Sequence, residues 1–289
     1  MLGVVLIHGS RDPRPQVATR RLLQRLQSAS HPRSTPGLSR PSPSNLEQCH
    51  SKFNLHPTPA VLELGEHPLA QQLTQLAHQA HAQGHRQIRV FPLFLLPGKH
   101  VQVDLPQALE ECRAHLPIDF RITLAPPLGP DPLFRQWLRS CCCGASPQPW
   151  ILLAHGSQRP EAQVYLQRLA QDLDMTLATW ATPPFLGDRV QTLVDRGITH
   201  LGLLPFFLFE GRLTQAIEEQ RQNLAKTYPQ LSWSMLPSLA QHPGFPECVQ
   251  AWIDRHSDRH GEATDPTSRA TTGPPHSAAP HSAAPLSTP

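Results

Sequence analysis

The chain is expected to form an α/β protein made of two similar doubly wound parallel-sheet domains, and three observations lead there. Short runs rich in Val, Ile and Leu alternate with longer segments whose apolar residues recur at helical spacing. The opening "MLGVVLIHGSRDPRP" returns as "PWILLAHGSQRPEAQ" from Pro149 onward. Further along, "GHRQIRVFPLFLLPGKHV" returns as "GITHLGLLPFFLFEGRLT", so the repeated unit is a whole βα domain and not a single turn. Internal duplication is the simplest account.

The first strand is expected at Gly3–Ile7, a continuous apolar run of the kind that is buried on both faces of a parallel sheet. A helical period follows over Gln16–Gln27. From Ser28 to Pro59 the chain turns Pro- and Ser-rich with no hydrophobic period, which predicts a loop inserted before the second strand, Ala60–Leu64. Helix Pro68–Gln83, strand Gln87–Leu95, helix Leu105–His115 and strand Phe120–Ala125 complete a first domain over 1–140. The second domain, 148–256, repeats the order. Its strands are Trp150–Ala154, Met175–Thr179, Ile198–Phe207 and Ser232–Leu236, and its helices Glu161–Leu173, Pro184–Arg196 and Leu213–Tyr228. The tail, 257–289, contains "PHSAAPHSAAP", cannot bury a core and is expected to be disordered, with His276 and His281 as solvated residues.

At 289 residues with 39% hydrophobic and 16% charged content, the chain can build two cores. A net charge of +3 without a dense Lys/Arg block gives no footing for nucleic acid as a partner, though a local basic patch for an acidic small molecule remains open. The opening apolar stretch, about seven residues before a His-Gly turn, is too short for a signal peptide or a membrane span, and the chain is expected to be cytoplasmic, with no membrane partner. The cysteines include the run Cys141, Cys142, Cys143 but no CxxC pair, so they read as incidental thiols of a reducing compartment. No phosphate-binding loop, dinucleotide fingerprint or nucleophile elbow is present, which disfavours ATP, dinucleotide and ordinary hydrolase chemistry.

In a doubly wound sheet the functional crevice lies beyond the carboxyl ends of the strands, where the strand order reverses. His8 follows the first strand, Glu63 lies near the end of the second, and His100 follows the third across Pro97-Gly98-Lys99. The first and third strands are expected to be neighbours, about 4.8 Å apart, so both imidazoles can reach one ion. Two histidines and a carboxylate make an open divalent-metal site suited to Fe, Co, Ni or Zn. Each alone is commonplace in a chain with 17 histidines; their convergence on one rim is what carries the reading. Arg11, Lys99 and Arg212 are candidates for binding carboxylates. The second half serves as an internal control: His155 repeats His8, but a Thr falls near the place of Glu63 and Leu213 takes the place of His100. The centre therefore belongs to the first half, with the second as the opposite wall of a cleft.

Together, "VVLIHGSRDPR", "AVLELGEHPLAQQL" and "RVFPLFLLPGKHVQVDLP" resemble the sirohydrochlorin chelatases, over most of residues 1–125 and more loosely over 150–245. The resemblance implies the two-domain class II chelatase fold and ATP-independent insertion of Co2+ or Fe2+ into sirohydrochlorin, in cobalamin or siroheme biosynthesis. It places the family's metal-binding and catalytic positions on His8, Glu63 and His100, with no cofactor beyond the substrate metal. Arg11, Lys99 and, more weakly, Arg212 would face the substrate's carboxylates. Glu63 or one of the histidines would take the pyrrole protons. The Pro-rich insert departs from the family pattern, and the CxxC cluster motif of some long relatives is missing. The duplicated chain can stand in for a homodimer of single domains, so a monomer is expected. The competing expectation is a metal or tetrapyrrole carrier that binds without turnover; an α/β hydrolase lacks its nucleophile elbow.

Overall fold

The computed structural model describes residues 1–29, 54–56, 58–142 and 149–257. Most of the 28–59 insert, Cys143, and the tail with its His276 and His281 lie outside the described residues.

Strand β1 (Leu2–Ile7) is buried along its whole length, as its unbroken apolar run requires. Helix α1 (Pro13–Ala29) begins where Asp12 Oδ1 accepts the backbone N–H of Arg14 at 3.0 Å, with Pro13 in the first helical position, where its missing N–H costs nothing. It buries Leu22, Leu23 and Leu26. Two short strands, β2 (Asn54–Leu55) and β3 (Ala60–Val61), share one edge of β1, the first against Leu2–Gly3 and the second against Leu6–Ile7. The strand expected at Ala60–Leu64 is thus shorter in its regular part. Its hydrogen bonds nevertheless run on, from Leu62 N–H to Ile7 O at 2.9 Å and from Glu63 N–H to His8 O at 2.8 Å. Helix α2 (Leu69–Ala82) lays Leu69, Leu73, Ala77 and Ala80 against the sheet. After β4 (Gln87–Pro92) comes a π-helical turn, His100–Asp104, in which the Leu105 N–H reaches back to the His100 carbonyl, and it runs directly into α3 (Leu105–Arg113). Strand β5 (Arg121–Leu124) and helix α4 (Pro132–Cys142) end the first half.

The second half follows the same plan: β6 (Trp150–Ala154), α5 (Pro160–Asp172), β7 (Met175–Thr179), α6 (Leu186–Asp195), β8 (His200–Pro205), α7 (Arg212–Thr227), β9 (Ser232–Met235), a 3-10 turn at Leu239–Gln241 and α8 (Phe245–Ser257). All pairings between these strands are parallel. One sheet runs β2-β1-β4-β5, with β3 also on β1, and the other β7-β6-β8-β9. The two orders are the same once β2 and β3 are taken as one edge, as duplication predicts. In each sheet the order reverses beside the central strand, between β1 and β4 and between β6 and β8, and this is where a doubly wound sheet opens a crevice.

Helices α4 and α8 were not expected, and both bridge the halves. Trp252 of α8 meets Phe91 of β4 edge-on, with ring centroids 5.6 Å apart, while Phe134 of α4 lies 6.4 Å from Phe206 just beyond β8. Tyr165 of α5 donates its hydroxyl to the Gly129 carbonyl at 2.7 Å, and Arg135 of α4 pairs with Asp172 at 2.9 Å. One hydrophobic cluster accordingly contains β1, β4, β6, α4 and α8 residues together. Helix α4 buries Phe134 and Leu138 completely, and its Phe134, Trp137, Leu138 and Cys141 stand at helical spacing, a period that was present in the sequence. In α8 the spacing Phe245, Cys248, Val249, Trp252, Ile253 is a helical period that was present in the sequence. No helix among the described residues is long and apolar enough to cross a membrane.

Candidate metal centre and cleft

Each half turns sharply as its central strand ends. Gly9 stands at φ +101°, and a Cβ there would lie 1.9 Å from the Glu63 carbonyl oxygen. Only glycine lets the chain turn away from β1 while the segment leading to Glu63 presses against it. The backbone bond from Glu63 to the His8 carbonyl then holds the two side chains on one rim. Leu64 follows in the left-handed region at φ 60°, which ends the pairing immediately beyond Glu63.

Across the crevice from His8, the π-helical turn presents His100. The two Nε2 atoms are 3.0 Å apart, with the rings nearly perpendicular at a centroid distance of 4.6 Å. Glu63 Oε1 lies 4.0 Å from His100 Nδ1. Among the described residues, His8, Glu63 and His100 form a group able to hold a metal ion, their candidate ligand atoms lying within 4.8 Å of one another. The site is open: His8 and Glu63 are exposed and His100 half-buried. With metal–nitrogen bonds of about 2.1 Å, nitrogens this close subtend roughly 90° at a shared ion. An open donor set of two imidazoles and a carboxylate suits a first-row divalent ion that must also be released.

Asp104 was not singled out in the sequence. Its Oδ2 accepts from His100 Nδ1 at 2.7 Å, which fixes the ring and leaves Nε2 with its lone pair toward His8. The turn supplies this contact, because it brings residues His100 and Asp104 onto one face. The four-residue spacing was visible in the sequence, yet nothing marked the turn as carrying a metal-site partner. Lys99, expected to meet carboxylates of a substrate, has its Nζ 3.6 Å from Asp104 Oδ1 and is otherwise well exposed.

The His8–His100 rim opens into a cleft of about 980 Å3 whose lining comes from both halves. Arg11 and Lys99 stand on one side, and His155, Arg159 and Arg212 on the other. Arg11 and Arg212 are exposed, and Arg212 is the first residue of α7. The start of α7 lies beside Asp12, whose Oδ2 would stand 3.6 Å from a Cβ placed on Gly211, so the halves meet at the edge of the cleft. Asp12 is bound bidentately by Arg14, with Nη2 to Oδ2 at 2.6 Å. Chiefly through that bond its pKa is lowered to about 2.

The internal control can be placed by hydrogen-bond register. Ala181 donates to the His155 carbonyl as Glu63 does to that of His8, so Ala181 stands in the place of Glu63 with Thr182 beside it. Phe206 bonds to Leu153 as Leu93 does to Leu6, which puts Leu213 in the place of His100 and Arg212 in that of Lys99. The second rim retains a histidine and, in Arg212, a cation, and it has neither of the other two candidate ligands.

Comparison with known proteins places the chain by family and by fold. The family model CbiX matches residues 3–143 and again 149–256. A sirohydrochlorin cobaltochelatase of Priestia megaterium is 21% identical over 178 residues, 56% of this chain and 58% of the relative, so the match spans little more than half the length of that protein. Among solved structures, SirB from Bacillus subtilis with Fe3+ superposes with a TM-score of 0.66 at 21% identity, covering 89% of this chain and 95% of the other. The sirohydrochlorin chelatase SirB from Bacillus subtilis subspecies spizizenii in complex with cobalt gives 0.61 at 18% identity, over 88% and 94%. These likenesses establish a shared two-domain fold.

Proposed function

The chain belongs to the CbiX family, and from that premise we propose that it inserts a divalent metal, Co2+ or Fe2+, into sirohydrochlorin without ATP. The observation that carries the reading is the pair of Nε2 atoms 3.0 Å apart with Glu63 beside them, on the rim of a cleft of about 980 Å3. That volume is at the upper end of ordinary ligand pockets and suits a flat macrocycle.

The metal is a substrate. His8, His100 and Glu63 take it up, and their exposure keeps the shell open for exchange. Arg11, Lys99 and Arg212 attract the carboxylates of sirohydrochlorin and hold the ring over the rim. As the pyrrole nitrogens replace the protein's ligands, two ring protons must leave, and the open cleft offers them a path to solvent. The donor set accepts both cobalt and iron. No resident cofactor is proposed; the protein is read as a cytoplasmic monomer.

The test is an anaerobic absorbance time course of sirohydrochlorin with Co2+ or Fe2+, with and without the protein. Acceleration is expected, and replacement of both His8 and His100 by Ala should reduce it to the uncatalysed rate. Stoichiometric binding of metal or macrocycle with no acceleration would overturn the proposal in favour of a carrier.

A further inference from the structure

We propose that His155, on the second-half wall of the cleft, is the base that removes pyrrole protons from the macrocycle, on the side away from the metal. The inference rests on the chelatase reading above and adds a catalytic residue to it.

Three observations converge on His155. It occupies the place of His8 at the end of the other central strand, and the two line one cleft from opposite halves. Its rim has Ala181 and Leu213 where the first has Glu63 and His100, so among the described residues His155 belongs to no group able to hold an ion. Its Nδ1 lies 3.1 Å from the Gly156 carbonyl oxygen, a contact that an N–H must make. In that tautomer the lone pair is on Nε2. Duplication has therefore left a basic nitrogen on the wall that does not hold metal, among the cations Arg159 and Arg212 and the single carboxylate Glu210.

The chemistry needs such a group. Metal and ring protons compete for the same nitrogen lone pairs, and an ion delivered from one face pushes the N–H groups toward the other. His8, His100 and Glu63 are occupied by the ion at that moment. The step balances simply. A pyrrole N–H bond breaks and its electron pair passes to the metal, while the proton bonds to His155 Nε2. The imidazolium returns it to water in the cleft, and a second transfer completes the exchange of one divalent ion for two protons.

The test uses the full chain with His155→Asn and His155→Gly. Asparagine can still donate to the Gly156 carbonyl, so a histidine that merely shapes the turn predicts near-normal turnover for His155→Asn. The base reading predicts that kcat for Co2+ insertion falls by roughly 100-fold or more in both variants. Co2+ binding, read from its visible absorption, should be unchanged, and added imidazole should restore His155→Gly in a saturable manner. Turnover within twofold of normal in the Asn variant, or a loss that imidazole does not rescue at any concentration, overturns the proposal. If the unaltered protein gives no acceleration, the chelatase reading falls first and this inference with it.

Discussion

His100 has one nitrogen toward His8 and the other on Asp104 at 2.7 Å. A carboxylate behind a metal-binding imidazole fixes the tautomer and raises the basicity of the nitrogen that meets the ion; losing one typically weakens metal binding 10–100-fold. Asp104→Ala should therefore lower Co2+ affinity by roughly that factor, with the proton of His100 no longer confined to Nδ1 in a 15N NMR spectrum. Equilibrium titration with Co2+ checks it, and unchanged affinity would reduce Asp104 to a surface partner of Lys99. The candidate ligands were legible because each lies at or shortly beyond the end of a strand-like run. Asp104 was not, since its role depends on a turn that brings it beneath the His100 ring.

At the scale of elements, the strands and most helices fall where periodicity put them, because each buries a face against its own sheet. Helix α8 packs Trp252 on Phe91 of the other half, and both rings are fully buried. Trp252→Ala should destabilise the protein by roughly 3–5 kcal/mol, the usual range for truncating a fully buried aromatic. A lower urea midpoint at an unchanged slope would show it. A loss below 1 kcal/mol would mean that α8 adds little to the first half. The departures from expectation have different physical reasons. A short strand, β2, forms within the segment expected to be a loop, and the expected second strand is regular only over β3. Helices α4 and α8 bury their apolar stripes against partners in the far half, which the stripes themselves do not name.

For the whole molecule, the cleft depends on how the two rims are held. Asp12 belongs to the first half, yet its carboxylate lies against Gly211, which caps the start of α7 in the second. An anionic group there also complements the positive end of the helix. Its pKa is lowered from 3.8 to about 2, mainly by Arg14, so the unfolded chain binds this proton more readily than the folded one. The stabilisation is complete above about pH 4 and is lost as the pH falls toward 2. The stability difference between the protein and Asp12→Asn, followed by thermal unfolding, should shrink over that interval. A difference independent of pH would remove the carboxylate's charge from the account.

The sequence by itself determined the α/β class, the duplication, the neighbouring of the first and third strands and the rim on which His8, Glu63 and His100 stand. These follow from local periodicity and from the rule that places a crevice at the carboxyl ends of doubly wound strands. Tertiary structure alone decided that the imidazoles meet at 3.0 Å, that Asp104 backs one of them, and that α4 and α8 join the halves around one shared core. Such features arise from contacts between segments distant along the chain, whose energies depend on shape and register; a periodic stripe such as that of α8 marks a buried face but not its partner.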